Sequence, residues 1–271
     1  MEHIRTMRDQ ETSVYRISRD YFHDGAAECT SGFMVSPVER KTMLSWAYGI
    51  VDACKIERRV AITAVTYLDR YVADNIGPRA NEVLSGRRNF QLCFIACLII
   101  AMKNCDGMKV ESEFVSDDLC HKIYQEDVIL DMEMEVLRGL GWRLNGPTAV
   151  DFIHAFVQLL PNQDDSKRKM LTKSAEVHAE LAMMNFSLAV QEPSLIAYAS
   201  INLALDTLDL KFGVLCVDNT DRFMWMQSVA LIAGIDVEGP LFHLIDHKMI
   251  ENASNFRRCN NSSSPSSSYC D

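Results

Sequence analysis

The chain has 271 residues, 48% of them hydrophobic, enough to fill one large core or two of ordinary size, and global disorder is excluded on that ground. Its 37 acidic side chains against 27 basic ones give a net charge of −10, which disfavours a general nucleic-acid binder, since such a protein carries a basic footprint. The opening MEHIRTMRDQETSVYRISRDYF lacks the apolar run of a signal peptide, and the nine cysteines form no CxxC pair; we therefore expect free thiols and an intracellular protein, nuclear or cytoplasmic.

Residues 1–37 read as a polar N-terminal segment with one short helix around Val14–Phe22, where Val14, Ile17 and Tyr21 share a face. From Glu39 the pattern changes, and Met43, Trp46, Ala47, Ile50 and Cys54 recur at helical spacing. After Lys55 a second helix carries Val60, Ala64, Leu68 and Val72, and Gly77-Pro78 stops it. The third predicted helix runs from Phe90 to Lys103. Its centre, Leu92–Met102, is eleven consecutive apolar residues. No wet face can be drawn on it, so neighbours must surround it, and it falls short of the roughly 20 residues that cross a bilayer. Lys103 follows directly, placing a cation where the rod reaches the surface. A polar connection leads to a short fourth helix with Leu119, Ile123 and Tyr124. A fifth, through Val128, Met132, Val136 and Leu140, ends at Gly141.

The second half repeats the plan. Thr148 suits an N-cap, with Asp151 in capping-box spacing, and opens a helix through Phe152, Phe156 and Leu160 that stops at Pro161. Further helices are predicted over Ser166–Met184, from Pro193 to about Leu208, after Thr220 or Asp221, and over Val237–Asn252. The expectation is an all-α protein of two tandem five-helix folds, residues 38–146 and 147–252, followed by a disordered Ser-rich tail, 253–271.

Local sequence then carries a resemblance. The first helix reads ERKTMLSWAYGIVDACKI and the second ends TYLDRYV, so Arg40 stands six residues before Trp46 and Asp69 lies within Tyr67-Leu-Asp-Arg70. The third helix opens Gln91-Leu92 and ends Ala101-Met-Lys103, and the fifth carries Met132-Glu133 and runs through Gly141-Trp142 to Pro147-Thr148. In this, residues 39–148 resemble the cyclin box, with Arg40, Asp69, Leu92, Lys103 and Glu133 on its five characteristic positions. The second half resembles the C-terminal cyclin fold more loosely, in pattern and in Pro193-Ser-Leu-Ile.

The resemblance implies a regulatory subunit of a cyclin-dependent protein kinase, with no catalysis and no cofactor of its own. Arg40 and Asp69 would form a structural ion pair. Lys103 and Glu133 would hold backbone groups of the kinase beside its regulatory C-helix by charge-assisted hydrogen bonds, with Phe114 and Ile129 supplying apolar contact. Docking there would push the C-helix inward and favour the active kinase conformation.

Departures from the family pattern fall on a second surface. Many cyclins recruit substrates or inhibitors through a groove on the first helix that takes an Arg-x-Leu motif. Trp46 and Gln91 are retained here, but Glu39 stands at the leading position, Met43 replaces a leucine, and Gly49 replaces the acidic residue three beyond the tryptophan. Glu39 is the carboxylate left to meet the motif's arginine, and altered docking is expected. Asn104-Cys105-Asp106 also follows Lys103 where the family usually places acidic residues.

Other constellations count for less. His243 and His247 share a helical face, but a zinc site needs a third convergent ligand, and no metal is expected. No phosphate loop, nucleophile elbow or kinase catalytic motif occurs, so we expect no enzyme. Ser36-Pro37 and Ser264-Pro265 are candidate proline-directed phosphorylation sites. No membrane partner is expected. The rival readings are a cyclin-fold scaffold without kinase activation and a general transcription factor of double-cyclin-fold type. The acidic balance and missing CxxC pairs weigh against the second.

Overall fold

The computed structural model describes residues 1–24, 35–74, 79–105, 123–160, 165–212 and 219–262. The chain divides into two compact units, Met1–Thr148 with Ala189–Pro193, and Ala149–Leu188 with Ser194–Asp271. Among the described residues every regular element is a helix.

The first unit contains α1 (Glu2–Thr12), α2 (Tyr21–Asp24), α3 (Pro37–Ala53), α4 (Arg59–Asp74), α5 (Ala80–Val83), α6 (Arg87–Cys105) and α7 (Glu126–Gly139). Ser36 caps α3, and Glu39 closes a capping box with it, so two orphan N–H groups of the helix start are satisfied. The apolar rod is α6. Every residue from Leu92 to Met102 is buried, and α3, α4, α5 and α7 all pack on it. Most of α4 is buried as well, from Val60 to Val65 and from Tyr67 to Ala73. The unit is thus organised around two adjacent helices with almost no solvent face.

The N-terminal segment differs from expectation. The helix lies at Glu2–Thr12, where Ile4, Met7 and Glu11 form the buried stripe, and residues 16–20 are not helical. Val14 and Ile17 sit at helical spacing by coincidence. The observed burial has period two: Tyr15, Ile17 and Arg19 are half-buried while Val14, Arg16, Ser18 and Asp20 are exposed, as in an extended strand-like strap. Its inward residues find partners that a helix could not have reached. Tyr15 lies under the Arg70 guanidinium at 4.8 Å and against Gly146, where a Cβ would come within 2.5 Å of its ring. Arg19 Nε donates to the Ala73 carbonyl at 2.9 Å.

The predicted fourth helix falls mainly outside the described residues; Ile123 and Tyr124 themselves lie in a bend ahead of α7. Phe114 and Ser264 are likewise outside.

The second unit contains α8 (Ala149–Gln158), α9 (Asp165–Met183), α10 (Phe186–Ala189), α11 (Pro193–Phe212), α12 (Asn219–Ala233) and α13 (Pro240–Ser262). Its most buried element is α11, where Ser194–Ile201 is buried without interruption. α8 and α13 both pack on α9. The last helix starts and ends later than expected. Gly234, at φ 63°, ends α12, and the Asp236 carboxylate accepts from the Glu238 N–H at 3.2 Å in the turn before Pro240. α13 then continues past Asn252 into the stretch assigned to the tail, because Ala253 remains buried and Asn252 Nδ2 donates to the Leu181 carbonyl at 2.8 Å. No helix among the described residues is long and apolar enough to cross a membrane.

Candidate partner-binding site

The last turn of α6 brings Lys103 out of the core, a position where a cation complements the helix dipole. Its Nζ donates to Glu133 Oε2 at 2.7 Å. The two partners are unequal: the Glu133 side chain is 10% exposed and that of Lys103 43%. α7 holds the carboxylate at the edge of the core, and the lysine reaches over it from the wet side. A buried carboxylate with a single cationic partner keeps lone pairs for further donors, and the exposed ammonium keeps N–H groups for further acceptors. The pair can therefore meet backbone carbonyl and N–H groups of another chain together.

Ile129, assigned beside this pair as an apolar contact, is 2% exposed and packs inward from α7, which leaves it almost no surface to offer. The exposed apolar residues of the same helix are Val128, Leu130 and Met134. Sequence reading could not separate them, since α7 shows apolar residues at adjacent positions and only the packing decides which face is wet.

Asn104, at a position where the family places an acid, is engaged within the chain. Its Nδ2 donates to the Tyr67 hydroxyl at 3.2 Å and to Asn145 Oδ1 at 3.1 Å. Tyr67 in turn donates to the Leu144 carbonyl at 2.8 Å, and Arg70 Nη1 to the Arg143 carbonyl at 2.9 Å. Burial, with the nearby Cys105 thiol, pushes the Tyr67 phenol well above its ordinary range, so it stays a donor. These residues fix the segment that follows α7 against the ends of α4 and α6. Sequence reading missed this cluster, because two of its contacts run to backbone carbonyls, for which no side-chain pattern exists.

Arg40 and Asp69 meet deep in the unit, both 0% exposed, through Nε–Oδ1 at 2.8 Å and Nη2–Oδ2 at 2.6 Å. Tyr21 adds a third bond from its hydroxyl to Asp69 Oδ1 at 2.7 Å. Burial alone would lower the Arg40 pKa, but the Asp69 charge and hydrogen bonds outweigh it and raise the group further; burial and then the Asp69 charge push the Tyr21 phenol up. Tyr21 is the member that spacing alone did not reveal.

On α3, Met43 and Trp46 are half-buried, and Trp46 stands edge-on to Phe94 with centroids 6.4 Å apart. Gln91 Oε1 accepts from the Tyr124 hydroxyl at 3.3 Å. Glu39 is already committed. It accepts from the Ser36 hydroxyl and backbone N–H, and from Arg87 Nη2 at 2.7 Å and Nε at 3.0 Å. The Ser36 hydroxyl first, then its N–H and Arg87, hold this carboxyl down at about 2. Its charge is therefore spent on the helix start and on Arg87. His243 and His247 are both exposed on α13, and no three His, Cys, Asp or Glu side chains converge as metal ligands among the described residues.

Comparison with known proteins agrees with this architecture. A viral cyclin from Herpesvirus saimiri superposes over 93% of this chain and 96% of its own at a TM-score of 0.64, with 16% identity, a likeness of fold. Cyclin-A1-3 of rice (Oryza sativa subsp. japonica) is 29% identical over 173 residues, 63% of this chain but only 33% of the rice protein. The G1/S-specific cyclin-D1 of zebrafish (Danio rerio) is 28% identical over 231 residues, 83% of this chain and 72% of that protein. Residues 2–145 match the family model described as the cyclin N-terminal domain. On that match, and on an all-helical structure built round the α6 rod, the chain belongs to the cyclin family.

Proposed function

We propose that this chain is a non-catalytic regulatory subunit that binds and activates a cyclin-dependent protein kinase in control of the cell cycle. The observation that carries the reading is the Lys103–Glu133 pair, 2.7 Å apart, where the buried rod meets the surface. Two charges of opposite sign, one held at the core edge, offer a donor and an acceptor in fixed relation, which suits recognition of a backbone segment on a partner. Docking on the kinase's C-helix shifts its equilibrium only through tighter binding to the active conformation. Val128, Leu130 and Met134 are better placed than Ile129 to widen that contact. Membership of the cyclin family and the G1/S description of the zebrafish relative support the cell-cycle assignment and an intracellular, nuclear or cytoplasmic residence. With Glu39 bound to Arg87 and Gly49 in the acidic position, the groove at Met43, Trp46 and Gln91 binds Arg-x-Leu segments weakly. Phosphorylation at Ser36 or Ser264 is part of the same proposal; at Ser36 it would replace the hydroxyl that caps α3.

The test is a pulldown against a panel of purified cyclin-dependent kinases, followed by a kinase assay on any pair that forms, with Lys103→Ala and Glu133→Ala beside the wild type. We expect binding and activation by the wild type and loss of both in the two variants. Binding without activation would move the chain to the scaffold reading. Absence of binding by a chain shown to be folded by circular dichroism would overturn the proposal.

A further inference from the structure

The second unit carries an open groove of about 390 Å³ between α11, α12 and the start of α13. Its walls are mainly apolar: Tyr198, Phe223, Met226, Val237 and Phe242. A space of that size, apolar with few polar groups, holds one or two large side chains of a ligand. Phe223 is 60% exposed and its neighbour Met224 59%, so the apolar surface continues out of the groove onto α12.

The surroundings are acidic. The cation in the lining, Arg222, is neutralised in place: Nη2 donates to Asp206 Oδ1 at 2.7 Å and to Asn202 Oδ1 at 2.8 Å. Beyond that pair, Asp246 hydrogen-bonds to the groove residue Asn202; burial raises its pKa, with Asp206 adding to the shift and Asn202, His243 and His247 opposing it. Asp236 and Glu238 flank Val237, and Asp221 precedes Arg222 at the head of α12. An apolar cleft with such a border attracts apolar side chains that arrive with positive charge beside them. It also disfavours a second copy of this chain on the same face. A two-fold contact would set each acidic rim against itself.

We propose that this groove is a docking site for a short protein segment in which a large apolar residue is flanked by lysine or arginine. The apolar side chain fills the space between Phe223, Met226 and Phe242, and the basic flanks meet Glu238 and Asp221. This surface is independent of the Lys103–Glu133 pair, so it stands or falls separately from the kinase proposal.

The test uses the full chain and short synthetic peptides with a central leucine or phenylalanine, flanked by either Lys/Arg or Asp/Glu, read by fluorescence anisotropy. Peptides with basic flanks should bind at least about tenfold more tightly than those with acidic flanks, and the difference should shrink as salt is raised. Phe223→Asp should weaken binding about tenfold or more, and Glu238→Lys should erase most of the preference for basic flanks. Leu231→Asp, 84% exposed on α12 and outside the groove, should bind as wild type does. The inference is overturned if no basic-flanked peptide binds, if acidic and basic flanks bind alike, or if Phe223→Asp leaves affinity unchanged. It is also overturned if sedimentation shows a dimer of the chain that Phe223→Asp dissolves.

Discussion

Arg40, Asp69 and Tyr21 form a polar cluster wholly buried from solvent, each with a named partner. A cluster of this kind contributes little net stability while intact, yet losing one charge leaves the other stranded, at about 3–5 kcal/mol. Asp69→Asn should therefore lower unfolding stability by about 3–5 kcal/mol in urea titration. Tyr21→Phe removes one bond to a charged acceptor and leaves Asp69 Oδ1 with Arg40, so its cost should be smaller, about 1.5–3 kcal/mol. The reverse order would show that the tyrosine, and not the ion pair, holds the site. At Glu39 the expectation concerns pH. The carboxyl titrates at about 2 in the folded chain against 4.5 ordinarily, because the Ser36 hydroxyl, its N–H and Arg87 favour the charged form. The unfolded chain takes up the proton first as pH falls, so this contribution is complete above pH 4.5 and is lost between there and pH 2. Urea midpoints measured across that window should fall less steeply in Glu39→Gln. Equal slopes would rule the capping box out as a source of acid sensitivity.

Elements differ in how far their sequence declares them. α6 was plain, since eleven apolar residues in a row leave no wet face and are too short to cross a bilayer. Lys103 was equally plain as the cation at its end. α8, α9, α11 and α12 followed from apolar spacing and their Thr, Ser and Pro starts. The strap at residues 13–20 was not, because Val14, Ile17 and Tyr21 satisfy a helical period while the chain obeys a period of two. What decides between them lies far away in sequence: Arg70, Ala73 and Gly146 supply the partners. The burial of Ile129 was illegible for a related reason, because only the packing turns that side of α7 toward the core. Within α6, Leu98 is wholly buried. Leu98→Ala should cost about 2–5 kcal/mol by urea titration, with the denaturant slope unchanged. A cost below about 1 kcal/mol would mean that the neighbours collapse into the vacated space.

Each unit holds a helix with a long buried run, α6 in the first and α11 in the second. The two differ in what stands at their ends. α6 delivers Lys103 to the surface beside Glu133, whereas α11 carries Tyr198 and Asn202 into the wall of a groove. Against a net charge of −10, basic residues such as Arg40 and Arg222 are tied into pairs with Asp69 and Asp206. One consequence follows for genetics. Because the same nineteen-residue helix α6 serves as the centre of the fold and as the stalk of the lysine, random mutagenesis will not separate the two roles. A screen for loss of partner binding will return many changes between Leu92 and Met102 that act by unfolding the protein and reducing its abundance. If the Lys103–Glu133 pair holds the partner as proposed, informative alleles will cluster at Lys103 and on the outer face of α7, where the protein level stays normal.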